Sequence, residues 1–192
     1  MRALTVFFLA MFLVLPAAQA KDVSGVNVPD TINAEGQTLH LNGAAARKKF
    51  GFVKVYVGAL YLQARGTDAN AIINADEPMA ITMSWIYDNT ARERVSESWR
   101  EGFERAVGAK ETAALKPQID QFCAAFPDPY KKNDVYTLVY IPGKGVVIEV
   151  NGKETAVIPG MEFKKAMFGN WLGPNPGDSS LKNLKAEMLK GK

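Results

Sequence analysis

The chain is organised around Leu41–Leu62, which reads LNGAAARKKFGFVKVYVGALYL. Its second half, Phe52–Leu62, is predicted to form a strand, because apolar side chains occupy both sets of alternating positions. One face carries Val53, Val55, Val57, Ala59 and Tyr61, and the other carries Phe52, Tyr56, Leu60 and Leu62. A strand that is apolar on both faces is typical of the centre of a sheet covered on both sides. Gly58, in the middle of this strand, leaves space for another backbone or for a ligand.

Arg47 is the candidate functional residue next to this strand. It is predicted to lie in the turn that leads into the strand, with Tyr56 pointing in the same general direction. A partly buried guanidinium is costly unless it is paired, and no carboxylate lies near Arg47 in the sequence. A ligand carboxylate could form charge-assisted hydrogen bonds to Arg47 and Tyr56. The alternative is an ion pair with an acidic residue distant in sequence, such as Glu162.

The first twenty residues have the pattern of an export signal. Arg2 precedes the apolar run Ala3–Leu15, and Ala18-Gln19-Ala20 forms a small-x-small cleavage site. We expect cleavage after Ala20, which leaves residues 21–192 as a single domain. The apolar run is short for a membrane-spanning helix and no later run approaches that length, so no transmembrane segment is expected. This pattern predicts a periplasmic location if the source is a Gram-negative bacterium.

The composition excludes several classes of site. The formal net charge of +3 falls to +2 without Arg2, which is too small to indicate nucleic-acid binding. His40 and Cys123 are the only histidine and the only cysteine, so they cannot build a zinc site or a catalytic Cys–His couple. We therefore expect no metal and no cofactor. His40 is interpreted as a polar strand position, with a lone haem ligand as the alternative, and Cys123 as a small buried hydrophobe.

Periodicity predicts an α+β domain in which helices pack on one face of a mostly antiparallel sheet. Strands are predicted at Val26–Pro29, Gln37–Leu41, Phe52–Leu62, Met79–Tyr87, Asp134–Ile141, Val146–Val150 and Glu154–Ile158, the last two joined by the hairpin pair Asn151-Gly152. A short helix or turn is predicted at Asp68–Asn74. Helices are predicted from Thr90, with Glu93 completing a capping box, and at Glu111–Ala125, Met161–Phe168 and Ser179–Leu189. Pro117 either kinks the helix at Glu111–Ala125 or lies in the first turn of a shorter helix. Trp99 falls in the apolar stripe of the Thr90 helix, where the simplest interpretation is core.

The order of these parts resembles the chalcone isomerase family. The resemblance is carried by G-x-x-x-R feeding F-V-K-V-Y-V-x-A-L-Y-L, by A-A-F-x-x-P after the middle helices, and by the terminal A-M-F-G-N-W-L-G. It spans about Gly36 to Leu189 and implies the chalcone isomerase-like fold. It fits a bacterial, secreted, non-catalytic branch of the family better than the plant enzymes, whose turn after the arginine is longer.

The resemblance also implies which residues form the site. In the enzymes an arginine stabilises the oxyanion of a Michael addition, and Arg47 occupies that position. A threonine, a tyrosine, an asparagine and a Thr/Ser of the enzymes fall here on Tyr56, Arg92, Trp99 and Asn170. Of the catalytic set only the arginine is retained. A tyrosine at the central-strand position instead resembles fatty-acid-binding relatives, in which arginine and tyrosine hold a carboxylate.

Three classes of function follow from the sequence. The favoured one is a non-catalytic binder of a small apolar or amphiphilic ligand, such as a fatty acid, with Arg47, Tyr56, Trp99 and Asn170 as ligand-binding residues. The second is an intramolecular lyase of the chalcone–flavanone type that uses Arg47, which a turnover assay would distinguish. The third is a structural or partner-binding envelope protein, which lacks a usable pocket. The sequence sets neither the ligand nor the oligomeric state.

Overall fold

The protein is an α+β domain, as the sequence predicts. The structure, a computed structural model, describes residues 20–191. Its strands are β1 (Ala20–Val23), β2 (Val26–Pro29), β3 (Thr31–Ala34), β4 (Gln37–Lys49), β5 (Val53–Leu62), β6 (Met79–Trp85), β7 (Val135–Ile141), β8 (Gly145–Val150) and β9 (Lys153–Ile158). Its helices are α1 (Ala69–Asn74), α2 (Arg92–Val107), α3 (Ala109–Ala114), α4 (Lys116–Ala124), α5 (Met161–Leu172) and α6 (Ser179–Met188).

Seven strands form one antiparallel sheet in the order β3-β4-β5-β6-β7-β8-β9, so each strand pairs with its neighbours in sequence. The helices cover one face over a large aromatic core, and the separate β1–β2 hairpin packs against the other. Strand β5 is buried on both faces: Leu60 belongs to the core under the helices and Tyr61 to the core on the opposite side. The predicted central strand and one-sided helical layer are confirmed.

Strand β4 differs from the sequence-based prediction. Instead of ending at Leu41 and giving way to a turn, it continues to Lys49, and Arg47 lies within it directly opposite Tyr56 of β5. Residues directly opposite each other in an antiparallel pair share a face, so Arg47 and Tyr56 both point to the helical side. The prediction that Arg47 lies in a turn is therefore wrong, although the two side chains do point the same way.

Helix α6 packs unusually closely on this part of the sheet. A Cβ atom added to Gly43 of β4 would lie 2.0 Å from the carbonyl oxygen of Glu187, so only glycine allows the helix backbone to come this near. Beside it, the space left by Gly58 is filled by the side chains of Met188 and Leu184. The expectation that Gly58 leaves room for a ligand is therefore wrong.

The C-terminal end of α6 is held by Asn42, the bulged residue of β4. Because the register shifts between Leu41 and Gly43, Asn42 turns its amide inward, where it is fully buried. The amide donates hydrogen bonds to the carbonyls of Met188 (2.7 Å) and Gly66 (2.8 Å) and accepts one from the Gly66 N–H. This bulge therefore ties β4, α6 and the segment after β5 together.

Lys164 of α5 is a buried cation that serves as a helix cap. Its ammonium donates to the carbonyls of Ile72, Ile73 and Ala75 at 3.2, 2.7 and 2.7 Å, at the C-terminal end of α1. Burial lowers the pKa of Lys164 to about 8, although the charge of Asp76 opposes this shift. Three acceptors and a favourable helix end satisfy an ammonium group that has left water.

Helix α2 begins differently from the prediction. Its first residue is Arg92, and no side chain of the preceding residues caps it, so the capping box of Thr90 and Glu93 is wrong. The Arg92 N–H instead donates to Asp128, which is distant in sequence, and Thr90 pairs through its backbone with Tyr130. A tertiary contact has taken the place of the local one.

Pro117 lies in the first turn of α4, which is one of the two alternatives predicted for it.

The remaining sequence-based predictions concern Cys123, His40, membrane-spanning helices, metal sites and the signal peptide. Cys123 is a buried free thiol, and His40 is an exposed residue of β4 opposite Thr31. Within residues 20–191 no helix is both long and apolar enough to cross a bilayer. No group of three metal-ligating side chains comes together in that range. Residues 1–19 of the predicted signal peptide lie outside the described part of the chain.

We expect Gly43→Ala to lower the free energy of unfolding by about 2–3 kcal/mol, because the new methyl group meets backbone that cannot rotate away. The matched control is Gly58→Ala, whose added Cβ meets the flexible end of Met188 at 2.9 Å. It should cost clearly less, about 1 kcal/mol or below. Urea unfolding measures both values, and equal losses would contradict the close contact at Gly43.

Candidate functional site

A cavity of about 520 Å³ opens beside the hairpin that joins β4 and β5. Its wall is built by the ends of these two strands, the end of β6 and the segment after it, one side of α2, the C-terminal end of α5 and the start of α6. The volume falls within the roughly 300–1,000 Å³ that is typical of small-molecule sites. The four residues predicted from the sequence, Arg47, Tyr56, Trp99 and Asn170, all lie on this wall.

A second bulge shapes the cavity. Arg47 pairs with Tyr56 but Lys48 pairs with Lys54, so Val55 of β5 is left without an opposite residue. A bulge changes the direction of the side chains that follow it. Val53 and Val55 accordingly line the cavity, whereas strict alternation had assigned them to the face of Val57. The apolar part of the wall near Arg47 is a product of this bulge.

Arg47 is paired within the protein. Only 8% of its surface is exposed, and one terminal nitrogen of its guanidinium lies 2.5 Å from a carboxylate oxygen of Asp178. The other terminal nitrogen donates to the carbonyl of Lys48. An acidic partner distant in sequence was one of the alternatives predicted for this arginine. The partner is Asp178, however, and the suggestion of Glu162 is wrong.

Asp178 connects this ion pair to helix α6. One carboxylate oxygen accepts hydrogen bonds from the N–H groups of Ser180 and Leu181, both at 3.0 Å, and the other faces Arg47. Partial burial acts to raise the pKa of Asp178, but the Leu181 N–H, the Arg47 guanidinium and the Ser180 N–H together hold it below its usual range. The carboxylate is therefore at once the N-cap of α6 and the counter-ion of Arg47.

Tyr56 presents a neutral hydroxyl beside Arg47. The hydroxyl accepts a hydrogen bond of 3.1 Å from the indole nitrogen of Trp171, and the ring stacks on Trp85 with centroids 5.4 Å apart. Burial raises the pKa of Tyr56, with the Trp171 hydrogen bond opposing the shift. Within residues 20–191 its own hydrogen meets no acceptor, so this hydroxyl can donate to a guest in the cavity.

Trp99 contributes an aromatic wall and an unused donor. Its ring packs edge-on against Trp171 at 5.1 Å. Its indole nitrogen is buried and has no hydrogen-bond partner among the described residues, and the same holds for the indole nitrogen of Trp85 and the hydroxyl of Thr90. All three residues line the cavity. These three polar atoms are themselves fully buried, so a guest in the cavity would meet the other surfaces of these residues and not the unpaired donors.

Asn170 has a more structural setting. Its amide nitrogen donates to the carbonyls of Ala166 and Met167, one turn back on α5. Its carbonyl oxygen fits against Gly102, where an added Cβ would lie only 1.9 Å away. Asn170 thereby fixes the approach of α5 to α2 at the edge of the cavity. Arg92, which the resemblance aligns with a catalytic tyrosine, is not among the residues of this wall and donates to the carbonyl of Phe126.

The polar rim of the cavity is predominantly cationic. It has a formal surplus of two positive charges, from Arg47, Lys49, Arg94 and Arg105 against Glu101 and Asp178. Arg94 forms no ion pair within residues 20–191, whereas Arg105 lies 3.6 Å from Glu101. Like charges around an opening raise the local concentration of the opposite sign. The rim therefore favours an anionic group, and the aromatic interior favours an apolar one.

The comparisons with known proteins agree with this architecture. Residues 20–190 match the model of the family described as chalcone isomerase-like. The chain belongs to this family. No curated protein matches the sequence.

Among solved structures, this member of the chalcone isomerase-like family is similar to a crystal structure of a fatty-acid binding protein from Arabidopsis thaliana. The TM-score is 0.68 at 18% sequence identity, over 87% of this chain and 93% of the plant protein. At this identity the likeness establishes the fold. The predicted chalcone isomerase-like fold is thus confirmed, while the ligand contacts of the four predicted residues stay a prediction.

Some residues of the site were missed by the sequence analysis. Asp178 stands directly before the predicted helix at Ser179, which is a recognisable N-cap position, but nothing in the sequence pairs it with a residue 131 positions away. Trp85 and Trp171 were visible only as members of apolar segments. Arg94 carried no signal at all, since a charged residue in the first turns of a helix is normally solvated.

The ion pair should make stability depend on pH in acid. Because the pKa of Asp178 is lower in the folded protein than in the unfolded chain, its contribution is complete above about pH 4 and is lost as the pH falls through the folded value. Asp178 is half exposed, so solvent screening limits this contribution to about 1 kcal/mol. The wild type should therefore exceed Asp178→Asn in unfolding free energy at pH 7, and the difference should vanish near pH 2. A difference that persists in acid would contradict this assignment.

Proposed function

We propose that this protein is a non-catalytic binder of an apolar carboxylate such as a fatty acid. The observation that carries the proposal is the amphiphilic cavity, with a cationic rim around Arg47 and an aromatic, mostly buried interior. A long-chain carboxylate matches both parts, because its head group is anionic and its chain gains from leaving water.

The donors of the wall support an amphiphile over a plain hydrocarbon. Two of the five N–H groups of Arg47 are used by Lys48 and Asp178, which leaves others for a ligand. The Tyr56 hydroxyl also has a hydrogen that meets no acceptor among the described residues. Oxygen atoms of a ligand would satisfy such groups, whereas methylene groups would not.

The family relationship supports the same class of ligand. The plant protein with a similar fold is named for fatty-acid binding. The resemblance aligns a threonine, a tyrosine and an asparagine of the catalytic chalcone isomerases with Tyr56, Arg92 and Trp99 of this chain. Of these three residues, Arg92 does not lie on the wall of the cavity. Arg47 alone supplies only one of the contacts that an oxyanion-stabilising site combines. A binding role therefore accounts for more of the site than catalysis does.

We expect Arg47→Ala to weaken the binding of palmitate by about 2–5 kcal/mol, since one partner of a buried charge pair is removed. Tyr56→Phe should cost about 0.5–1.5 kcal/mol, the value of one hydrogen bond. Methyl palmitate should bind the wild type poorly and lose little more on Arg47→Ala. Titration calorimetry of the acid and the ester measures these differences.

Two variants control this experiment. Arg65→Ala removes the same charge from an exposed arginine outside the cavity, where Nε donates to the carbonyl of Leu41, and should leave palmitate binding unchanged. Asp178→Asn keeps an N-cap oxygen but removes the competing charge, so palmitate should bind several-fold more tightly. Equal affinity for acid and ester, or tight binding that survives Arg47→Ala, would show that Arg47 has a structural role only.

The proposal includes export to the periplasm, which rests on the pattern of Arg2, the apolar run Ala3–Leu15 and the Ala18-Gln19-Ala20 site. The intact mass of the protein recovered from its native compartment should then begin at Lys21. A mature chain that still carries Met1 would contradict it. The binding experiments on purified protein do not depend on this outcome.

A further inference from the structure

The tip of the β4–β5 hairpin, Lys48–Lys54, exposes two large aromatic side chains to solvent. Phe50 is 87% exposed and Phe52 is 77% exposed, the largest exposures of any large apolar residue that the structure describes. Single exposed apolar residues are ordinary, but two phenylalanines on one narrow turn form a patch.

The backbone of this tip holds Phe50 in a conformation that a bulky side chain rarely adopts. Lys49 pairs with Val53, so the loop has three residues, and the first two of them are left-handed: Phe50 has φ of +53° and Gly51 of +79°. Asn and Gly normally occupy such positions, because bulky side chains are strained there. A phenylalanine held at the first of them keeps its ring at the extreme end of the hairpin against that local preference. Strain of this kind points to a functional role for the side chain.

The charge around the tip has one sign. Lys48, Lys49 and Lys54 are all exposed, and none of them forms an ion pair within residues 20–191. The sequence contains no acidic residue between Glu35 and Asp68. The acid next to the tip, Asp178, is already paired with Arg47. The tip is therefore an aromatic wedge surrounded by lysines whose charge is not neutralised.

We propose that this tip docks the protein on an anionic phospholipid surface, with Phe50 and Phe52 in the interfacial region and the three lysines on lipid phosphates. Aromatic rings with adjacent lysines are the chemistry that such an interface accepts. Each lysine near an anionic surface strengthens binding about fivefold.

The size of the patch argues against a protein partner. Two phenylalanines bury roughly 150–250 Å² each, well below the roughly 800 Å² per partner of a stable protein interface. Insertion into lipid has no such area requirement, because any ring that leaves water contributes by itself. The charge of the tip also matches an anionic lipid surface, whereas it would repel the same tip of a second copy.

Docking would also place the cavity at the membrane. Lys49 and Phe50 belong both to the tip and to the wall of the cavity. A ligand with a long apolar chain could then enter from the bilayer without crossing bulk water. This consequence rests on the proposed function, but docking itself does not.

The test is cosedimentation of the purified protein with vesicles, in the absence of any carboxylate ligand. The protein should bind vesicles of equal parts phosphatidylglycerol and phosphatidylcholine, bind pure phosphatidylcholine weakly, and be released by high salt. Because the cavity plays no part in this measurement, its outcome is independent of whether palmitate binds. Failure of the parent protein to bind the anionic vesicles would overturn the proposal.

Three variants identify the tip as the contact. The first variant combines Phe50→Asn, which suits the left-handed conformation at this position, with Phe52→Thr. It should weaken vesicle binding at least about tenfold. Lys48→Gln, Lys49→Gln and Lys54→Gln together should weaken it on the order of 100-fold. The matched control replaces three exposed lysines elsewhere, Lys21, Lys110 and Lys153, by glutamine and should change it less than about twofold.

Each variant is first checked for an unchanged thermal unfolding midpoint. If the tip-lysine variant and the control-lysine variant lose vesicle binding equally, net charge alone attracts the protein and the tip is not the contact. If the phenylalanine variant binds vesicles as tightly as the parent, the two rings do not enter the lipid interface. Native mass spectrometry adds one more outcome. A dimeric parent that becomes monomeric in the phenylalanine variant would assign the tip to self-association and overturn membrane docking.

Discussion

The close contact between α6 and β4 is the constraint on which the site depends. At Gly43 the helix backbone comes so near the strand that no side chain fits between them. Two polar contacts then fix the helix along the strand: Asn42 holds its C-terminal end and Arg47 holds its N-terminal cap. Since both residues belong to β4, one strand sets the position and the direction of the whole helix.

This arrangement explains where the cavity of about 520 Å³ lies. Where α6 lies on small residues, the helix excludes everything else, and Leu184 and Met188 fill the space over Gly58. At the start of α6 the bulge at Val55 turns apolar side chains into a gap that α2 and the C-terminal end of α5 also enclose. The site therefore lies beside the N-terminal end of α6 and is lined by Arg47, the cation that holds this end of the helix.

Features set by local chemistry could be predicted from the sequence, and features set by distant contacts could not. Asn151-Gly152 marks a hairpin because the turn itself requires left-handed residues, which Asn151 (φ +53°) confirms. By contrast, the run Gly43–Ala46 has little strand propensity, and it is extended because α6 covers it. The cap of α2 comes from Asp128 and the partner of Arg47 is Asp178, both far along the chain. Arg47 and Tyr56 could be identified from the strand pattern, whereas Trp99 and Asn170 became candidates only through the family resemblance.

The bond between Arg47 and Asp178 has a consequence for selectivity. Asp178 is a carboxylate that the protein supplies to its own guanidinium, and a tethered group acts at an effective concentration on the order of millimolar or above. A free carboxylate that uses Arg47 competes with it on unequal terms. Acetate or a short acid brings nothing else to the exchange, whereas a long chain adds the burial of its methylene groups. Competition from Asp178 therefore makes binding at Arg47 selective for carboxylates that carry a long apolar chain.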